Sequence, residues 1–175
     1  VEKPVEEQLV YFLMDRFGYV RLIDAATMER NRETVEKEEK YMIPCSNLDR
    51  ICIFTKEGTM HQLKLSDVPL GKLRDKGTPV DNLCNFDSSK ENIAALVPLK
   101  ELMGSWLLFV TEKAMIKMVE ADEFIVSKRT IASTKLAEND KVLAVVHFPG
   151  MAYTGEDTIV LKSRDGFFLR FPMEQ

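Results

Sequence analysis

The sequence predicts an all-β fold, a propeller-like array of about three to four blades, on three observations. Four segments repeat an apolar run, a polar turn and a second apolar run. Three further short apolar runs lie between them, with starts 52 and 49 residues apart. Periodicity near the turns is strand-like, and helical stripes of useful length are few.

The repeated segments are VYFLMDRFGYVRLI (residues 10–23), ICIFTKEGTMHQLKL (51–65), LLFVTEKAMIKMV (107–119) and IVLKSRDGFFLRF (159–171). Their turns align on Gly18, Gly58, Ala114 and Gly166. The three positions five to seven residues before that point are apolar in every copy. So are the second position after it (Val20, Met60, Ile116, Phe168) and the fifth (Ile23, Leu63, Val119, Phe171). A turn glycine between β-branched and aromatic runs signals a hairpin, because glycine supplies the positive φ of a tight turn. Four hairpins are therefore expected.

The intervening runs are YMIPC from Tyr41, IAALVPL from Ile93 and VLAVVHF from Val142. Each follows a polar turn and precedes a hairpin, so the unit reads as strand, linker of varying length, then hairpin. The first hairpin then lacks an upstream partner. A period near 50 with three or more short strands suits propeller blades, which complete a core only when neighbours cover them. The WD dipeptide and the kelch glycine pair are missing. ERNRETVEKEEK (29–40) is expected as a solvated helix or a charged loop, and PLKELMG around Leu99 as one helical turn. Residues 1–9 read as a linker and 10–175 as the repeat domain. FLRFPMEQ ends just after a hairpin, so an incomplete array is expected.

Composition narrows the function classes. A chain of 175 residues, 45% of them hydrophobic, can bury a real core. No stretch reaches the roughly 20 apolar residues of a membrane helix, and VEKPVEEQ has no apolar signal core, so a cytoplasmic protein without membrane contact is expected. Cys45, Cys52 and Cys84 form no CxxC pair and read as buried free thiols. The formal net charge of −4 argues against a uniformly basic nucleic-acid binder. Residues 1–40 hold ten acids and seven bases, leaving 18 and 17 in the remainder, where a local basic face is possible.

Two sets of basic residues recur at fixed offsets. The third position after each turn residue is Arg21, His61, Lys117 and Leu169, between positions expected to be buried, so these side chains are expected to form an outward row. Fourteen residues after the turn come Arg32, Lys72 and Lys128, each in a cationic stretch that adds Arg30, Arg74, Lys76 and Arg129. In a propeller such loops line one rim, where spaced cations follow a phosphate backbone without reading bases.

The phrases DRFGYVRLIDAATMERN, FTKEGTMHQLKLSDVPLGKLRDKGTPVDNL, FVTEKAMIKMVEADEF and SRDGFFLRFP resemble the C-terminal repeats of DNA gyrase and topoisomerase IV A subunits, the bacterial type IIA DNA topoisomerases. The resemblance covers nearly the whole chain from Val10. It implies a β-pinwheel, a propeller variant that exchanges strands between blades and wraps or steers double-stranded DNA on a basic outer rim. It also implies more blades than this chain supplies, partnership with a topoisomerase B subunit, and ATP and magnesium used on other domains or subunits. The family's nucleophilic tyrosine lies in a segment preceding this region, so Tyr11, Tyr19, Tyr41 and Tyr153 are not expected to be catalytic, nor the chain alone to be an enzyme. Gyrases carry a basic, glycine-rich heptapeptide in a rim loop. The corresponding stretch, VSKRTIA (126–132), keeps Lys128 and Arg129 without a glycine, so the backbone has less freedom to approach phosphates. A topoisomerase IV-like relaxing and decatenating role, or a divergent gyrase, fits as well as supercoiling.

Other chemistry finds no constellation. No GxxxxGK[ST] or GxGxxG occurs, PGMAYTGEDT (149–158) lacks the lysine of a phosphate loop, and His61 and His147 have no metal-site spacing. No cofactor is expected in this chain, and its oligomeric state is open. The competing reading is a propeller-type protein-interaction module that does not bind DNA.

Overall fold

The first three hairpins of the array turn for the same local reason. In the computed structural model, which describes residues 3–149, 158–162 and 168–172, Leu9–Asp15 (β1) turns into Tyr19–Asp24 (β2). Arg50–Thr55 (β4) likewise turns into Thr59–Lys64 (β5), and Trp106–Thr111 (β8) into Ile116–Glu120 (β9). The third loop residue closes the turn, its N–H donating to Asp15 O from Gly18, to Thr55 O from Gly58 and to Thr111 O from Ala114. It has positive φ in all three, 83° at both glycines and 59° at Ala114. The residue opening each turn adds a side-chain bond: Asp15 Oδ1 accepts from Tyr19 N (3.0 Å), Thr55 Oγ1 from Thr59 N (3.2 Å) and Thr111 Oγ1 from Met115 N (3.1 Å). This explains why these three turns begin with Asp or Thr. Since Ala114 is exposed and bears the left-handed penalty of an L-residue, Ala114→Gly is expected to stabilise the chain by about 0.5 kcal/mol, read as a raised urea midpoint.

The remaining strands are Glu39–Ser46 (β3), Thr78–Pro79 (β6), Ile93–Pro98 (β7), Thr130–Ala132 (β10), Val142–Phe148 (β11), and the antiparallel pair Thr158–Lys162 (β12) and Phe168–Pro172 (β13). The sheets run β3-β1-β2-β6, β7-β4-β5-β10 and β11-β8-β9. The expected unit is thereby corrected. The runs at Tyr41, Ile93 and Val142 pair with the first strand of the preceding hairpin, not with the hairpin that follows. The first hairpin thus has its third strand downstream, and each of these pairings carries a register shift at the same place, the turn end of the hairpin's first strand. The fourth strand is borrowed. β6, which follows β5 in the chain, pairs with β2, and β10, which follows β9, pairs with β5. This is strand exchange between blades, and with the antiparallel sheets it makes the fold the all-β, propeller-like array expected. The turn at Gly166 and most of residues 149–158 lie outside the described residues.

The second sheet packs against a neighbouring sheet on each face, which is why its strands read as continuous apolar runs rather than alternating ones. Val10, Phe12, Met14, Val20 and Leu22 of the first sheet pack with Ile51, Ile53 and Leu63 of the second. The second sheet's other face brings Cys52, Phe54 and Met60 against Leu107, Phe109 and Val119 of the third. Phe54 lies edge-on to Phe109 and Phe124, with centroids 6.0 and 5.3 Å apart. Burial pushes the Cys52 thiol up to about 12 and those of Cys45 and Cys84 to about 11, so all three behave as neutral packing groups at ordinary pH.

The charged stretch 29–40 is mostly helix, and it is not solvated all round. Ala25–Glu38 (α1) starts at Asp24, whose carboxylate caps Thr27 N at 2.7 Å, and bends at Asn31. Met28 and Val35 cover Leu13 and Ile23 on the face of the first sheet that the second sheet leaves open. Leu99–Leu102 (α2) is the expected single turn. Among the described residues no helix is long and apolar enough to cross a membrane, and no group of three His, Cys, Asp or Glu side chains could hold a metal.

Candidate nucleic-acid interface

After its hairpin, the second unit must return to the outer edge of the first sheet, and that return carries three bases. Leu65 and Val68 anchor its start in the core. Gly71 N then donates to Leu22 O (2.8 Å), and Asp75 closes a small turn by accepting from Lys72 N through Oδ2 (2.7 Å) while its own N–H donates to Lys72 O (3.0 Å). Gly77 sits at φ +83°, where an added Cβ would lie 2.4 Å from Val20 O. β6 pairs with Val20 and Tyr19, and Val80 N donates to Gly18 O. Lys72, Arg74 and Lys76 are exposed along this path, with Lys76 Nζ 4.6 Å from the Tyr19 ring centroid. Gly77→Ala is expected to cost about 1–3 kcal/mol and to detach β6 from β2, shown by faster hydrogen exchange at residues 77–80.

The third unit repeats the manoeuvre on the second sheet. Ala121 and Phe124 anchor its start, Val126 O accepts from Gln62 Nε2 (2.7 Å), Arg129 O accepts from Gln62 N (2.8 Å), and β10 pairs with residues 59–61. Lys128 and Arg129 are exposed beside β5 as the other three bases are beside β2. The structure therefore brings Lys72, Arg74, Lys76, Lys128 and Arg129 to equivalent edges of adjacent sheets.

The other candidates separate from this set. Arg30 and Arg32 are exposed on α1 among Glu29, Glu33, Glu36 and Glu38, on a helix that packs over a sheet face instead of completing a sheet edge. The first unit follows its hairpin with a helix, so the common offset of fourteen residues does not give a common place. The expected outward row is corrected as well. Lys117 is exposed, but Arg21 and His61 are buried, at 9% and 4% exposure. Arg21 Nε and Nη2 donate to Glu39 Oε1, and Nη1 donates to Asp75 O. Burial pushes the Glu39 carboxyl up against the opposing pull of Arg21, and its Oε2 accepts no hydrogen bond from the described residues. His61 bonds to Glu91 and Thr130. Burial raises the Glu91 carboxyl, but Asp87 N–H, His61 and Thr59 outweigh it and hold it below the ordinary glutamate value. The stability Glu91 contributes is therefore present above that value and is lost as pH falls through the lowered one. These positions are buried because the borrowed strand and the loops around it cover the outer edge of each sheet.

Two bases escape the sequence reading. Arg50 and Lys64 are direct cross-strand partners and line, with Gln62, Asp67, Leu83 and Arg129, a small cleft at the edge of the second sheet. Like charges placed opposite one another oppose folding, and in this cleft three bases, Arg50, Lys64 and Arg129, face one acid, Asp67. Arg50 and Lys64 lie 14 residues apart at the two ends of one hairpin, so only the strand register reveals the pairing.

The class of protein follows from this architecture: a β-pinwheel-type repeat domain whose exchanged strands are led in by cationic loops. Residues 105–148 match the family described as DNA gyrase C-terminal domain, beta-propeller. The chain is 27% identical over 186 residues to the DNA gyrase A subunit of Lawsonia intracellularis (99% of this chain, 22% of that protein). It is 30% identical over 138 residues to the DNA gyrase A subunit of Chlamydia muridarum (78% and 16%). The chain spans about a fifth of the length of these relatives. In structure it is similar to a DNA topoisomerase IV C-terminal domain, with TM-score 0.78, 19% identity, and coverage of 96% of this chain and 53% of that one. It is also similar to the E. coli ParC C-terminal domain, with TM-score 0.71, 13% identity, and coverage of 94% and 65%. The chain is thus similar in sequence to the C-terminal part of DNA gyrase A subunits, and it shares the fold of the topoisomerase IV and ParC C-terminal domains.

Proposed function

We propose that this chain binds double-stranded DNA through the cationic loops at its sheet edges, and so wraps or steers a duplex for an ATP-dependent type IIA topoisomerase completed by a B subunit in the cytoplasm. The observation that carries the reading is the repeat of one arrangement on adjacent sheets. In each, a loop with exposed bases leads into the borrowed strand: Lys72, Arg74 and Lys76 at the first sheet, Lys128 and Arg129 at the second. Arg50 and Lys64 extend the second site, and Lys117 adds an exposed base on β9. Arg30 and Arg32 contribute less, because neighbouring glutamates offset them, and Arg21 acts from beneath the surface. Spaced cations on successive blades suit contact with phosphates regardless of sequence. The glycine-free residues 126–132 favour steering over tight wrapping.

An electrophoretic shift of linear and supercoiled DNA at low salt tests this. The expected result is binding to both without sequence preference, weakened by charge reversal at Lys72, Arg74 and Lys76. Absence of a shift at low salt would overturn the reading. Binding indifferent to reversal at Arg74, Lys128 and Arg129 would favour a protein-interaction module.

A further inference from the structure

We propose that Arg21 and His61 are positioning residues that clamp the cationic loops of the following units onto the sheet edges, an inference that rests on the DNA-binding role of those loops. Both occupy the third position after a turn glycine, and both are buried. Each joins an acid at or just before the third strand of its own sheet to the loop that arrives from the next unit. Arg21 links Glu39, the first residue of β3, to Asp75 O at 3.0 Å, and Asp75 in turn holds the backbone of Lys72 through two hydrogen bonds. His61 Nε2 lies 2.8 Å from Glu91 Oε1, two residues before β7, and its Nδ1 lies 2.9 Å from Thr130 Oγ1, next to Arg129.

The bonds around Thr130 give the imidazole a defined role. Glu91 only accepts, so Nε2–H donates to it. Nδ1 and the Thr130 hydroxyl bond to each other at 2.9 Å, and the hydroxyl oxygen also accepts from Asn85 Nδ2 at 3.0 Å. Glu91 is held in turn by Thr59 Oγ1–H and Asp87 N–H. The clamp therefore ties β5, β10 and the segment before β7 to one ring. Buried ionic and polar groups add little net stability over apolar replacements, but they fix one arrangement among alternatives. Here that arrangement is the placement of Lys128 and Arg129 against β5. The same position of the third sheet holds Lys117, which is exposed.

The test is made on the full chain with Thr130→Val, which keeps the side-chain shape and every charge while removing the hydroxyl, with Thr130→Ser as the conservative control. The expected result for Thr130→Val is faster hydrogen exchange at residues 128–132, about fivefold weaker binding to a linear duplex, and a shallower salt dependence. Thr130→Ser should restore all three. Arg21→Met should loosen residues 71–77 in the same way. Unchanged exchange or unchanged affinity in Thr130→Val, where Lys128→Glu with Arg129→Glu does weaken binding, overturns the clamp and leaves the DNA-binding reading standing. Unchanged binding in both variants overturns that reading and the clamp's function with it.

Discussion

Replacing Lys128 and Arg129 together by glutamate is expected to weaken duplex binding on the order of 100-fold at low salt and to lower the salt slope by about 1.8, since each lost phosphate contact removes about 0.9. The fold should persist. Both side chains are exposed, and neither holds the loop against β5: Arg129 O accepts from Gln62 N, Val126 O accepts from Gln62 Nε2, and Thr130 Oγ1 bonds to His61 Nδ1. Thermal unfolding should therefore shift little while affinity collapses, as substitutions that only change surface charge stay within about 0.5 kcal/mol. A matching loss of stability would mean that the pair acts on the fold instead of on DNA.

The largest effect on stability is expected from Phe54→Ala, about 3–5 kcal/mol, a large fraction of the roughly 5–15 kcal/mol that holds a domain folded. Phe54 is fully buried and fills the junction of the second and third sheets, with its ring edge-on to Phe109 and Phe124. Phe124 anchors the 3-10 turn Ala121–Phe124 that leads to Lys128, so the cavity would also free the start of the cationic loop. Urea unfolding should show a lower midpoint, and binding should weaken even where the variant stays folded.

The hairpins were legible because turn chemistry is local. Asp15, Thr55 and Thr111 open turns that Gly18, Gly58 and Ala114 close, all within a few residues of sequence. Strand partnership was not local. β3 lies nearest in sequence to β4 yet pairs with β1, and β6 crosses to β2, because what decides is the face each strand must cover. The same distance hid the partners of Arg21 and His61. Alternation along the strand predicts an outward row, but the side these two residues face is covered by Glu39 and Asp75, and by Glu91 and Thr130. The cationic loops were found by offset. The offset failed only at Arg30 and Arg32, where Asp24 caps a helix in place of a loop.

DNA binding by the cationic loops is tested most directly by the salt dependence of duplex affinity for the chain itself. If Lys72, Arg74, Lys76, Lys128 and Arg129 each neutralise a phosphate, log affinity against log salt should fall with a slope of about −4.5. A slope near zero, or no binding at low salt, would contradict it.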